Sequence, residues 1–499
     1  MQYLLGLDIG TSGVKGILIN LNGDIIVKKL ENYDLYTPEI GWTEQNPDDW
    51  WKATKKVIQD IVKDPKVDSS SIKGIGISGQ MHSSVFLDKN NLVIRPAILW
   101  SDTRTTKQCD LIYEKVGGLE NLISYVSNSA LEGFTAPKVL WLKENEPENY
   151  SKVNKVIMPK DYIRYKLTGE IFTDISDAAG TLMFDVQNKT WSKGLLSDLE
   201  IDSEILPPVL ESTDIAGKIT SEISAETGLL EGTPVVAGGA DQSCGAIGSG
   251  IIKAGRVMVS LGSSGVVLAQ TDNPVADKKG RVHLFNYSKP DSWYKMGVML
   301  SAGMSYSWVQ KNMFNGKYKY DKLNEMAESV KPGSEKLLFL PYLYGERTPY
   351  ADANARGVYF GISGKHKEEH FVRSVMEGVT FGLRDSLELI KDKNFNIEEV
   401  RAIGGGTKSQ VWQHILADIF GEEIKILNVE EGPAFGAAIL AGVGTNLYNN
   451  FEEAESNIIK VVKSIEPDNN NHKLYNRQYE IYSSLYQSLK TDFRNLANI

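Results

Sequence analysis

The sequence predicts an α/β protein made of two related halves, and three observations support this. Apolar strand-like runs are mixed along the chain with segments of helical period. A β-turn-β pattern at the N-terminus returns near residue 256. The chain has 499 residues, which at ~150 per domain suits two large domains or about three ordinary ones.

The first hairpin runs from Tyr3 to Asp8, turns through Ile9-Gly10-Thr11-Ser12-Gly13, and continues from Val14 to Ile19. Ile72 to Leu87 reads as one alternating strand that ends in the turn signal Lys89-Asn90-Asn91. The second hairpin runs from Arg256 to Leu261, turns through Gly262-Ser263-Ser264-Gly265, and returns along Val266 to Ala269. From Glu368 onwards, Phe371, Val372, Val375, Met376, Val379, Leu383, Leu387 and Ile390 recur near the helical period. Trp412 to Phe420, Phe435 to Leu440 and Lys473 to Leu496 also read as helices. A boundary near residues 245–255 divides the chain almost evenly, so the expected domains are 1–246 and 247–499.

Composition narrows the function classes. Hydrophobic residues are 41% and charged residues 24%, ordinary for a globular protein with a real core. The formal charge of −10 disfavours a nucleic-acid partner, although a local basic cleft can still hold a small phosphate ligand. Cys109 and Cys244 are the only cysteines, too few for a disulfide framework, which points to a reducing cytoplasmic setting. Asp8 interrupts the first apolar run before an export signal can form. Residues 432–444 are the longest membrane candidate, but they fall short of the ~20 apolar residues a span requires. No membrane association is expected.

Two motif matches mislead. Gly74-Ile75-Gly76-Ile77-Ser78-Gly79 fits the dinucleotide fingerprint in letters, yet no helix follows to receive a pyrophosphate. His366-Lys367-Glu368-Glu369-His370 fits an inverted zinc-protease pattern, but acidic residues also suit the first turn of the helix read there.

Other motifs carry chemistry. In the turn after Asp8, small residues let backbone N–H groups converge on phosphate oxygens. Thr11 and Ser12 add donors, Lys15 adds charge, and Asp8 suits Mg²⁺; a plain hairpin turn is the alternative. The run Thr233 to Ala240 leads through two glycines to Asp241 at a predicted helix start. That aspartate reads either as a helix cap or as a proton acceptor kept ionised by the helix dipole. Gly404-Gly405-Gly406 before a helix permits close approach of a ligand to the backbone, or is a tight strand-to-helix turn. Gln80-Met81-His82 and Trp100 to Arg104 lie at strand ends, where α/β proteins place ligands.

Together with Gly133 to Lys138, Ser176 to Thr181, Leu340 to Pro349 and Gly432-Pro433-Ala434, these segments resemble the FGGY carbohydrate kinases, most closely the xylulokinase subgroup. The resemblance implies two actin-like (ribonuclease-H-like) ATPase domains with a central cleft. It implies transfer of the ATP γ-phosphoryl group to the 5-hydroxyl of D-xylulose. Asp241 matches the family's general base, and Asp8 an aspartate important for activity near Mg²⁺. Met81 and His82 match sugar contacts, with Gln80 beside them. Thr11, Ser12, Gly262, Ser263, Gly406 and Gln410 match positions around ATP. A homodimer is implied by analogy. Ser83, Ala240, Gln242 and Tyr350 depart from the subgroup's usual residues, so D-ribulose, L-xylulose and gluconate are the alternative acceptors. The alternative outside sugar phosphorylation is a non-catalytic actin-like ATPase.

Overall fold

A computed structural model describes residues 1–391, 395–428 and 431–499. The chain opens with three antiparallel strands, β1 (Tyr3–Ile9), β2 (Gly13–Asn20) and β3 (Ile25–Asn32). After the short β4 (Glu44–Gln45) comes helix α1 (Pro47–Val62). Its start is set by Asn46, whose side chain accepts the Asp48 N–H, and by Pro47 at the first helical position. Strand β5 (Ile72–Gly79) then lies parallel to β1. The strands Pro234–Val236 and Ile215–Lys218 complete the path, and Gly239–Ala240 also pairs with β5.

The second sheet repeats this plan. Arg256–Leu261, Gly265–Thr271 and Trp293–Met299 form an antiparallel meander. Glu399–Ile403 and Ile424–Leu427 extend it in parallel from Arg256–Leu261, and Val461–Ile465 closes antiparallel. His283–Asn286 is its other edge. Both hairpins expected from the sequence are therefore present, each starting one of two sheets of matching order.

The two sheets are joined by helices rich in small residues. The helix Gly432–Gly444 follows a strand of the second sheet, yet it packs on β1 and β5 of the first. A Cβ added at Gly76 would lie 1.8 Å from the Ala437 carbonyl oxygen. On the helix's other side, a Cβ at Gly436 would lie 1.8 Å from the Cys244 carbonyl oxygen in the helix Asp241–Gly248. Only glycine permits these approaches. Gly76→Ala is expected to cost about 1–3 kcal/mol or more by overpacking, read as a lower urea midpoint. An unchanged midpoint would mean that this contact is not made.

Helices occupy the places that periodicity assigned, with slightly wider bounds: Glu368–Ile390, Gln410–Phe420, Gly432–Gly444 and Asn469–Ala497. The expectation for Ile72 to Leu87 needs correction. β5 stops at Gly79, and Val85–Leu87 is a separate strand paired with Lys155–Ile157. Gln80 N–H still bonds to the Ile9 carbonyl, after which His82 adopts a left-handed φ of 70° and turns the chain away. Nor does β5 alternate: Gly74 to Gly79 are all buried, because a central strand is covered on both faces. The glycines of the dinucleotide-like match serve helix packing, as Gly76 shows. His366 and His370 each use Nδ1 to accept a backbone N–H, from Ser363 and Lys367, at the start of their helix. Among the described residues no helix is long and apolar enough to cross a membrane.

Candidate active site

Three strand ends meet at one level. In register, Asp8 of β1 lies opposite Ser78 of β5, and Ser78 lies opposite Gly239 on its other side. Asp8 therefore closes one side of β5 and Asp241, just beyond Ala240, closes the other. With neighbouring strands ~4.8 Å apart, the two backbones stand about 10 Å from each other.

The two aspartates act on each other. Burial pushes Asp241 up to about 7, with a further rise from the charge of Asp8; N–H groups of Gln242 and Met81 oppose it. Asp241 is the first residue of its helix and Ala240 the cap. Its Oδ1 accepts the Gln242 N–H at 2.9 Å. Burial and the charge of Asp8 work against the expectation that this carboxyl is held ionised, and it titrates near neutral pH. Burial also raises Asp8 to about 6, against Lys15 and Ser78, which lower it. Asp8 Oδ1 is buried without a hydrogen-bond partner among the described residues.

Asp8 thus fits Mg²⁺, which takes one or two carboxylates and completes its shell with phosphate and water oxygens. Among the described residues no group of three or more His, Cys, Asp or Glu is arranged to hold a metal ion.

The segment after β5 supplies the next groups. His82 Nδ1 lies 2.5 Å from the Gly180 carbonyl oxygen, so Nδ1 carries the proton. Burial holds the imidazole neutral, with its pKa down to about 3, which leaves Nε2 an acceptor. Lys138, itself buried, donates to the carbonyls of His82 at 2.9 Å and Gly133 at 2.7 Å. A Cβ at Gly180 would meet Met81 Cε at 2.9 Å, so the glycine makes room for both sugar candidates.

Gln80 has a different setting. Its Oε1 accepts from Thr11 Oγ1 at 3.2 Å and its Nε2 donates to Gln45 at 3.1 Å, so the buried amide braces the hairpin turn. The Thr11 hydroxyl also accepts the Trp100 indole N–H at 2.9 Å, while Ser12 is exposed. Lys15 is 3.2 Å from Glu431, so it ties β2 to the start of the helix Gly432–Gly444.

In the second sheet the same strand ends assemble the remaining candidates. Arg256–Leu261 and Glu399–Ile403 are parallel with Ser260 opposite Ile403, which sets the Gly262–Gly265 turn beside the glycine loop. The carbonyls of Gly262 and Ser263 accept N–H groups from Gly303, Ala302 and Met304 at 2.9–3.0 Å. Ser263 remains exposed. Gly404 has a φ of 93° and approaches Leu261, and Gly406 packs on the same residue. Ser409 caps the helix, and Gln410, its first residue, is exposed.

Sequence reasoning missed Lys160, Asp174 and Ser288, which are buried around the Asp241 segment. No local motif marks them, because their partners lie far away in sequence.

Residues 3–248 match the N-terminal domain of the FGGY family of carbohydrate kinases, and residues 257–445 match its C-terminal domain. The chain belongs to the FGGY family of carbohydrate kinases. The xylulose kinase of Bacillus subtilis (strain 168) is 42% identical over 490 residues, covering 98% of this chain and 98% of that protein. The xylulose kinase of Lactococcus lactis subsp. lactis (strain IL1403) is 42% identical over 490 residues, covering 98% of this chain and 97% of that protein. Among solved structures, a ligand-bound xylulose kinase from Lactobacillus acidophilus superposes with a TM-score of 0.95 at 26% identity, covering 99% of this chain and 100% of that one. This FGGY protein is a carbohydrate kinase with the two-domain, actin-like fold of its structural neighbours.

Proposed function

We propose that this FGGY kinase transfers the γ-phosphoryl group of ATP to the 5-hydroxyl of D-xylulose, with Asp241 as general base. The observation that carries the reading is the placement of Asp241 and Asp8 on either side of the end of β5. The names of the similar proteins support the sugar. The domains divide at 246/247, with the sugar on the first and the nucleotide mainly on the second.

In the reaction the sugar oxygen forms a bond to the γ-phosphorus as the bond from that phosphorus to the bridging oxygen of ADP breaks. The hydroxyl proton passes to the Asp241 carboxylate. A base with a pKa near 7 suits this task at neutral pH, and such assistance is typically worth 10²–10⁴-fold. Neutral His82 offers Nε2 to a sugar hydroxyl, and Met81 supplies apolar surface beside it. The turn at Thr11 and Ser12, with Gly262, Ser263, Gly406 and Gln410, holds the nucleotide by backbone and side-chain donors. Asp8 would hold the Mg²⁺ that accompanies ATP, which would supply neutralisation of the phosphate charge.

The test is ADP release measured with no sugar and then with D-xylulose, D-ribulose, L-xylulose and gluconate. Highest kcat/KM and stoichiometric sugar phosphate with D-xylulose are expected. ATP hydrolysis independent of every sugar, with no sugar phosphate formed, would favour a non-catalytic actin-like ATPase. A better acceptor among the other three would reassign the substrate.

A further inference from the structure

Directly behind Asp241 lies a buried polar chain that the reaction above leaves unused. Lys160 Nζ, fully buried, lies 2.8 Å from Asp174 and 2.6 Å from Asp161. The other oxygen of Asp174 accepts the Ser176 hydroxyl at 2.5 Å. Because that hydroxyl has given its one proton to Asp174, its lone pairs are left to accept. They receive the Ala240 N–H at 2.9 Å and the Ser288 hydroxyl at 3.1 Å. Ala240 is the residue before the base. Ser288 in turn accepts the Ser243 hydroxyl at 2.7 Å and donates its own N–H back to Ser243 at 2.9 Å. Ser243 is two residues beyond the base.

Each hydroxyl proton in this chain has an acceptor, and Ser176, Ser243 and Ser288 are all buried. The segment 240–243 is thereby held on both sides of Asp241. One anchor, Asp174–Ser176, belongs to the first half of the chain. The other, Ser288, follows the edge strand His283–Asn286 of the second sheet.

We propose that Ser176 is a positioning residue for Asp241: it fixes the backbone that carries the base, and through Ser288 it ties that backbone to the second half. The inference rests on the reading of Asp241 as the base. A proton acceptor must be placed to within ~0.5 Å to work well, and a buried, fully paired hydroxyl network supplies that stiffness.

The experiment is a double-mutant cycle in the full chain. Ser176→Ala is expected to lower kcat for D-xylulose about tenfold with KM for ATP within ~2-fold. In the Asp241→Asn background the same substitution should lower the residual kcat by less than ~2-fold, since no base remains to misplace. A purely structural role predicts equal losses in both backgrounds, and that result would overturn the proposal. So would full kcat in folded Ser176→Ala. Should that variant fail to fold, Ser288→Ala removes the hydroxyl that joins Ser176 to Ser243 and leaves only the Ser288 N–H bond to Ser243. It is expected to cost about 3-fold with Asp241 present and nothing with Asn there; equal losses would again overturn the inference. Near-normal turnover of Asp241→Asn alone strikes the base reading instead, so the two failures are distinguishable.

Discussion

Asp241→Asn is expected to lower kcat at least ~100-fold while KM for sugar and ATP stays within ~3-fold. The substitution keeps the shape of the side chain and the oxygen that accepts the Gln242 N–H. It removes only the ability to take a proton. Because burial and Asp8 push the carboxyl up to about 7, the ionised form that accepts the proton is lost as pH falls through that value. The kcat/KM of the unaltered enzyme should therefore begin to drop tenfold per pH unit below ~7, and the Asn variant should lose that limb and keep only a fall at lower pH from Asp8. Near-normal turnover in a folded, pure Asn variant removes Asp241 from the base role.

Asp8→Asn should also lower kcat about 100-fold, for an electrostatic reason. Asp8 Oδ1 is buried without a partner among the described residues, an expensive arrangement for a folded protein unless a cation uses it. A neutral amide cannot replace that charge, so the Mg²⁺ concentration for half-maximal rate should rise well above that of the unaltered enzyme. The same variant removes a negative charge that raises Asp241. Its remaining acid limb should move to lower pH, opposite to a loss of the base itself. Normal kcat with an unchanged Mg²⁺ requirement would exclude Asp8 from this role.

The motifs were legible because each is local. A turn such as Asp8 to Gly13 needs small residues at fixed offsets to reverse two strands, and that requirement shows in the letters alone. The helix Glu368–Ile390 was legible for the same reason, since its buried face repeats at the helical period. Strand extent was not. Ile72 to Leu87 reads as one strand in the sequence, and only the turn at His82 cuts it. Asp241 shows the same division. Its place at a helix start is local, whereas its elevated pKa comes from burial and from Asp8, more than 200 residues away.

From the sequence by itself came the two hairpins, the mixed α/β class, the net negative charge and the candidate carboxyls and glycines. The tertiary structure alone decided that Asp8, His82 and Asp241 lie at the ends of three neighbouring strands, that Gln80 braces a turn, and that Lys160, Ser176 and Ser288 stand behind the Asp241 segment. The physical reason is range: turn and helix preferences act over a few residues, whereas desolvation, charge coupling and close backbone packing depend on which distant segments meet.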